Sequence, residues 1–192
     1  MDRRKQVIDP RLKTALVDFS QESRRKANVQ VRKSAKITDG TYYLNVDASG
    51  MSGIVNLVDN KTKKEVGVTN FDGNMLNRGR ELSIRALRLL FTSKGTDVKN
   101  GDYQNGTSLI PELQNAELHF IQGDNKLISL PLTDLQRFNQ VDFRSLITNA
   151  LVKSQEEFQI QLEFPKGVSV PAATATKLNL LRIEFRLAEK KS

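Results

Sequence analysis

Two segments in the second half of the chain alternate strictly between apolar and polar residues. In the first, Phe158, Ile160, Leu162 and Phe164 are separated by Gln159, Gln161 and Glu163; in the second, Leu181, Ile183, Phe185 and Leu187 are separated by Arg182, Glu184 and Arg186. A period of two is the strand period, so each segment predicts a half-buried β-strand with one wet face. Shorter apolar runs bounded by turn residues at 42–46, 53–58 and 65–69 predict three more strands, the second and third joined as a hairpin through Asp59-Asn60-Lys61. The run at 81–91 carries Arg85 and Arg88 and also fits helical spacing, but Gly79 and Gly95 bracket it and its neighbours are β, which favours a strand. Residues 116–120 and 126–131 predict a hairpin turning at Gly123 and Asn125. Between 92 and 108 lies a polar stretch with Asn100-Gly101 and Asn105-Gly106, read as a long loop containing a small hairpin at Asn100-Gly101. A second loop spans 165–177. Helical spacing appears at 133–139, as one turn, and at 142–152, where Asp142 can cap a helix with Phe143, Leu146, Ile147, Ala150 and Leu151 on one face.

At the N-terminal end the pattern is also helical. Asp9-Pro10 is a helix start, and Leu12, Ala15, Leu16 and Phe19 recur on one face of an amphipathic helix over about 10–26. A helix of this length is weakly populated alone in water, so its apolar stripe predicts docking onto a partner or the protein's own body. Charge sharpens this picture. Residues 1–36 hold 11 Lys/Arg against 4 Asp/Glu, a net of +7, whereas 37–192 hold 19 against 18, a net of +1. The division is therefore a basic arm at 1–38 and a β domain at 39–192. The arm cations Arg3, Arg4, Lys5, Arg11, Lys13, Arg24, Arg25, Lys26, Arg32, Lys33 and Lys36 are candidate contacts to a polyanion, either nucleic acid or an anionic membrane surface, and Leu12, Ala15, Leu16 and Phe19 are the candidate docking stripe.

The 192 residues are enough for one domain with its own core. No window of about 18 apolar residues predicts a membrane span. The opening Met1-Asp-Arg-Arg-Lys has no apolar stretch behind it, so a secretory signal is not expected. Zero Cys and one His exclude disulfide scaffolds, thiolate metal sites and histidine-cluster metal sites. No phosphate-cradling glycine motif and no nucleophile elbow is present, and Glu156-Glu157 are adjacent on a strand and so face opposite ways. His119 should point away from Leu118 and Phe120, in a structural or solvated role. Tyr42-Tyr43 should place one ring in the core and one at an interface. With three Tyr and no Trp in the chain, base stacking on the body is not expected, so polyanion contact is assigned to the arm. No catalytic set, metal site or cofactor is predicted, and no small-molecule substrate.

About eight short antiparallel strands with few helices predict an all-β sandwich or jelly roll, with a short helix near 142–152 and the partly helical basic arm. This arrangement resembles the jelly-roll virion proteins of icosahedral viruses and phages. The resemblance rests on the strand count and on the arm at 1–36. It implies a non-enzymatic structural protein that self-assembles with copies of itself and other structural subunits, made in a host cytoplasm and resident in the virion. The arm would then face neighbouring subunits, genome or an internal membrane. The alternative is a cellular β-sandwich module that binds a ligand or protein.

Overall fold

A computed structural model describes residues 36–136, 143–175 and 177–191. Eight strands dominate: β1 (Lys36–Asp47), β2 (Ile54–Asn56), β3 (Arg80–Thr92), β4 (Glu117–Gln122), β5 (Asn125–Pro131), β6 (Arg144–Val152), β7 (Phe158–Glu163) and β8 (Leu180–Lys191). Two single-turn helices, α1 (Pro111–Gln114) and α2 (Leu132–Leu135), sit in the connections. Sheet 1 has the order β1-β8-β3-β6 and sheet 2 the order β2-β7-β4-β5. Every ladder is antiparallel. The pairs β4·β5, β3·β6, β2·β7 and β1·β8 are nested, as if one long hairpin folded at Gly123-Asp124 had been rolled up, alternate pairs falling into opposite sheets. This is the jelly-roll topology.

The strict alternations set the core. Phe158, Ile160, Leu162 and Phe164 on one side and Leu181, Ile183, Phe185 and Leu187 on the other are all at most 5% exposed. Their apolar faces meet between the sheets, where Phe120 stacks on Phe158 at 5.2 Å between ring centres and Phe71 meets Phe185 edge-on at 5.8 Å. The β4–β5 hairpin turns at Gly123, whose φ of 56° lies in the left-handed region; a Cβ there would come within 2.6 Å of the Glu156 carboxylate. The run at 81–91 is the strand β3, with Arg85 at a register shift between Ile84 and Ala86.

Two expectations fail. The helix over 142–152 does not form: Arg144–Val152 is the strand β6 on the edge of sheet 1. Across the ladder Ala86 faces Ser145 and Ile84 faces Ala150, so the four residues 146–149 bulge out where β3 supplies only Arg85. That insertion rephases the apolar positions and mimics a helical spacing, while Ile147, assigned to a buried helix face, is 98% exposed. The proposed capping residue, Asp142, lies outside the described residues. The strand over 65–69 also fails. Glu65 and Thr69 bridge each other across a tight turn with Gly67 at φ 86°, and the turn's Val66 is exposed, so no hairpin joins it to β2. Of the helical turn expected at 133–139, the described part forms α2, and residues 137–139 lie outside the described residues. No helix among the described residues is long and apolar enough to cross a membrane.

Candidate functional site

Because β8 is central in sheet 1, its polar residues are flanked on both sides. Its outward series is Arg182, Glu184 and Arg186; the cross-strand partners of Glu184 are Tyr43 on β1 and Arg88 on β3. Glu184 is 5% exposed. A buried carboxylate needs full compensation. Arg88 donates to its Oε2 through both Nε and Nη2, and Arg182 Nε donates to its Oε1 at 2.6 Å. Arg182 also donates through Nη1 to Asn45 Oδ1 at 3.2 Å, and its guanidinium lies over the Tyr43 ring at 4.4 Å. Phe143 carries two further cations, Arg88 at 4.6 Å and Arg186 at 4.0 Å from its ring centre. Two guanidiniums thus share one carboxylate, and a third, Arg186, lies beside them over Phe143. Among the described residues no acidic partner pairs with the exposed Arg186.

The loop following β3 walls this array. The small hairpin expected at Asn100-Gly101 does not form a ladder: the loop is closed by Asp102 N–H donating to Lys94 O at 3.0 Å, and Asn100 Oδ1 accepts from the N–H groups of Thr96 and Asp97. Tyr103 tucks beneath, donating its hydroxyl to Val98 O at 3.0 Å; burial pushes its phenol up to about 12, against the pull of the Arg182 cation. Between loop and sheet opens a groove of about 480 Å³ lined by Arg88, Leu90, Tyr103, Arg182 and Glu184, with Asp102 at the same wall.

The two central strand pairs differ in charge. β3 and β8 hold seven Lys/Arg against three Glu, whereas β4 and β7 hold two Glu and no Lys or Arg. Those two, Glu117 and Glu163, face each other across the ladder, with His119 Nε2 at 3.0 Å from Glu163 Oε2 and 3.7 Å from Glu117 Oε2. A carboxylate only accepts, so Nε2 carries the hydrogen of that bond. His119 is 1% exposed, a buried rather than a solvated histidine, and among the described residues its Nδ1 has no hydrogen-bond partner. Nε2 could bind a metal only by moving the hydrogen to Nδ1, where no acceptor waits among the described residues. No group of three ligand-type residues among the described ones is placed to hold a metal ion.

At the end of the sandwich interior, Arg80 donates to Glu189 Oε1 at 2.7 Å and to the Tyr42 hydroxyl at 2.7 Å, and burial raises the Tyr42 phenol. Tyr42 packs on Phe71 in the core, the inward ring expected of that doublet, and Tyr43 lies on the outer face beneath Arg182.

Of the residues assigned to the arm, Lys36 opens β1 opposite Lys191. Arg3, Arg4, Lys5, Arg11, Lys13, Arg24, Arg25, Lys26, Arg32 and Lys33 and the docking stripe Leu12, Ala15, Leu16 and Phe19 lie outside the described residues. The cluster of Arg88, Arg182, Arg186 and Glu184 with Phe143 was not anticipated. Its signal was present in the wet face of β8, but the register that brings Arg88 beside Glu184 is not written in either strand alone. No family model matches the chain, and no curated protein is similar to it in sequence.

Proposed function

We propose that this chain is a non-enzymatic structural protein that self-assembles through its jelly-roll body, as a capsid or capsid-associated virion component, with the basic N-terminal residues contacting a polyanion or neighbouring subunits. The observation that carries the reading is the charge split: a net of +7 in residues 1–36, directly ahead of an edge strand of a jelly roll whose remaining residues are nearly neutral. A segment so basic is suited to phosphate contact and counterion release. Light scattering coupled to size-exclusion chromatography tests the reading. The full chain should form a discrete assembly, and deletion of residues 1–35 should weaken polyanion binding or abolish assembly while leaving the β circular dichroism and melting nearly unchanged. A full chain that is monomeric at every concentration overturns self-assembly. The groove beside Arg88 and Arg182 favours a second reading, a ligand-binding β-sandwich module, which predicts that monomer and a dispensable N-terminal segment.

A further inference from the structure

We propose that the outer face of sheet 1 is itself a binding surface for the phosphate backbone of single-stranded nucleic acid, with Arg88, Arg182 and Arg186 as phosphate contacts and Tyr43 and Phe143 as flanking aromatic surfaces. The proposal rests on the polyanion half of the preceding reading and moves part of that contact from the arm to the folded body. Overall charge conceals the surface, because residues 37–192 sum to only +1. The strand order sorts those charges, setting Arg88 and Arg182 on one carboxylate with Arg186 beside them over Phe143 on the outer face of the central strands.

The surplus positive charge is preorganised. Arg88 and Arg182 are held by Glu184, Arg182 lies on Tyr43, and Arg186 and Arg88 both lie within 4.6 Å of the Phe143 ring centre. Guanidiniums fixed in this way lose little rotamer freedom on binding, and their planar donor fork matches a phosphate. Arginines interleaved with aromatic rings supply the two elements of sequence-tolerant single-strand binding, backbone charge contacts and stacking faces. A lipid surface fits less well: of the exposed large apolar residues Ile54, Val66 and Met75 lie off sheet 1 and only Ile147 belongs to it, in the bulge of edge strand β6, too little apolar surface to insert.

The test is fluorescence anisotropy of labelled oligo(dT) with the full chain over a salt series. Arg186→Gln, at an exposed position, should weaken binding and reduce the slope of log affinity against log salt by about one unit. Phe143→Leu keeps every charge but removes the stacking surface, and should weaken binding as well. Lys166→Gln removes one exposed cation from the turn after β7, off this face, and should leave affinity and slope unchanged. If Arg186→Gln binds like the parent, or if Lys166→Gln weakens binding equally, the surface is not a specific contact and the proposal fails. Light scattering on the same samples reads assembly separately: a parent chain that assembles but does not bind oligo(dT) sinks this proposal and the polyanion contact while leaving self-assembly intact.

Discussion

Phe158→Ala probes the packing on which the sandwich depends. Phe158 is 1% exposed, stacks on Phe120 at 5.2 Å and meets Phe71 at 5.9 Å, so truncation removes a ring that joins both sheets through Phe71 and Phe185. Loss of a buried Phe costs about 3–5 kcal/mol, including the cavity left behind and the lost ring pairs. That is a large part of the roughly 5–15 kcal/mol that holds a typical domain together. At about 2–4 °C per kcal/mol for a chain of this size, the melting temperature should fall by roughly 6–20 °C. Gln159 is exposed on the outer face, so Gln159→Ala should change stability by less than about 0.5 kcal/mol. Urea melts followed by circular dichroism give both values; the midpoint should move while the slope stays fixed. Because Phe185 touches both Phe71 and Phe120, Phe158→Ala with Phe185→Ala should be less than additive. Equal losses from Phe158→Ala and Gln159→Ala would refute the assignment of inner and outer faces.

Glu184→Gln should destabilise by about 1–3 kcal/mol, because it leaves Arg88 and Arg182 crowded without their shared carboxylate, whereas Glu81→Gln, facing the more accessible Lys190 pair, should cost less than about 1 kcal/mol; equal urea midpoints would count against a buried network. Tyr103 is expected to make stability fall at high pH. Its phenol, raised to about 12 against an ordinary value near 10, keeps its proton more tightly in the folded than in the unfolded state. The contribution is fully present below pH about 10 and is lost as pH rises through about 12, up to about 2–3 kcal/mol. Urea midpoints at mildly and strongly alkaline pH should converge for Tyr103→Phe and diverge for the parent; parallel behaviour of the two proteins contradicts the burial argument.

Much of the fold is legible because burial on one face writes a period of two into β7 and β8, and because Gly123 marks the β4–β5 turn where the nested hairpin begins. β3 is legible for another reason: Gly79 and Gly95 bound it, although Arg85 breaks the alternation at the register shift. β6 is not legible. Its four-residue bulge places Leu146 and Ile147 out of phase with Ala150 and Val152, and the resulting spacing matches a helix by coincidence. The turn at 65–69 misleads in the same way, since three apolar or β-branched residues there serve a tight turn around Gly67 rather than a ladder. The arginine surface is illegible in principle from composition. A charge tally adds residues that the topology then sends to opposite sides of the molecule.

That separation bears on how such a body would be used. Glu117 and Glu163 lie directly opposite each other on sheet 2, an arrangement that like charges disfavour, and only one of them receives the close His119 Nε2 hydrogen bond. Sheet 1 concentrates guanidiniums where a single Glu184 cannot neutralise them. Each face alone is an electrostatic cost to the fold, moderated by solvent, that packing does not require: Gln159 and Gln161 show that uncharged polar residues suffice on an outward strand face. A monomer with no partner gains nothing from holding like charges together on both sides. A body whose basic face meets a polyanion recovers the cost on that side through phosphate contact and counterion release, and the Glu117–Glu163 pair on the other sheet disfavours approach of the polyanion from that side. Reversing the polarity of sheet 1 alone should therefore impair oriented binding more than an equal change of charge elsewhere on the body.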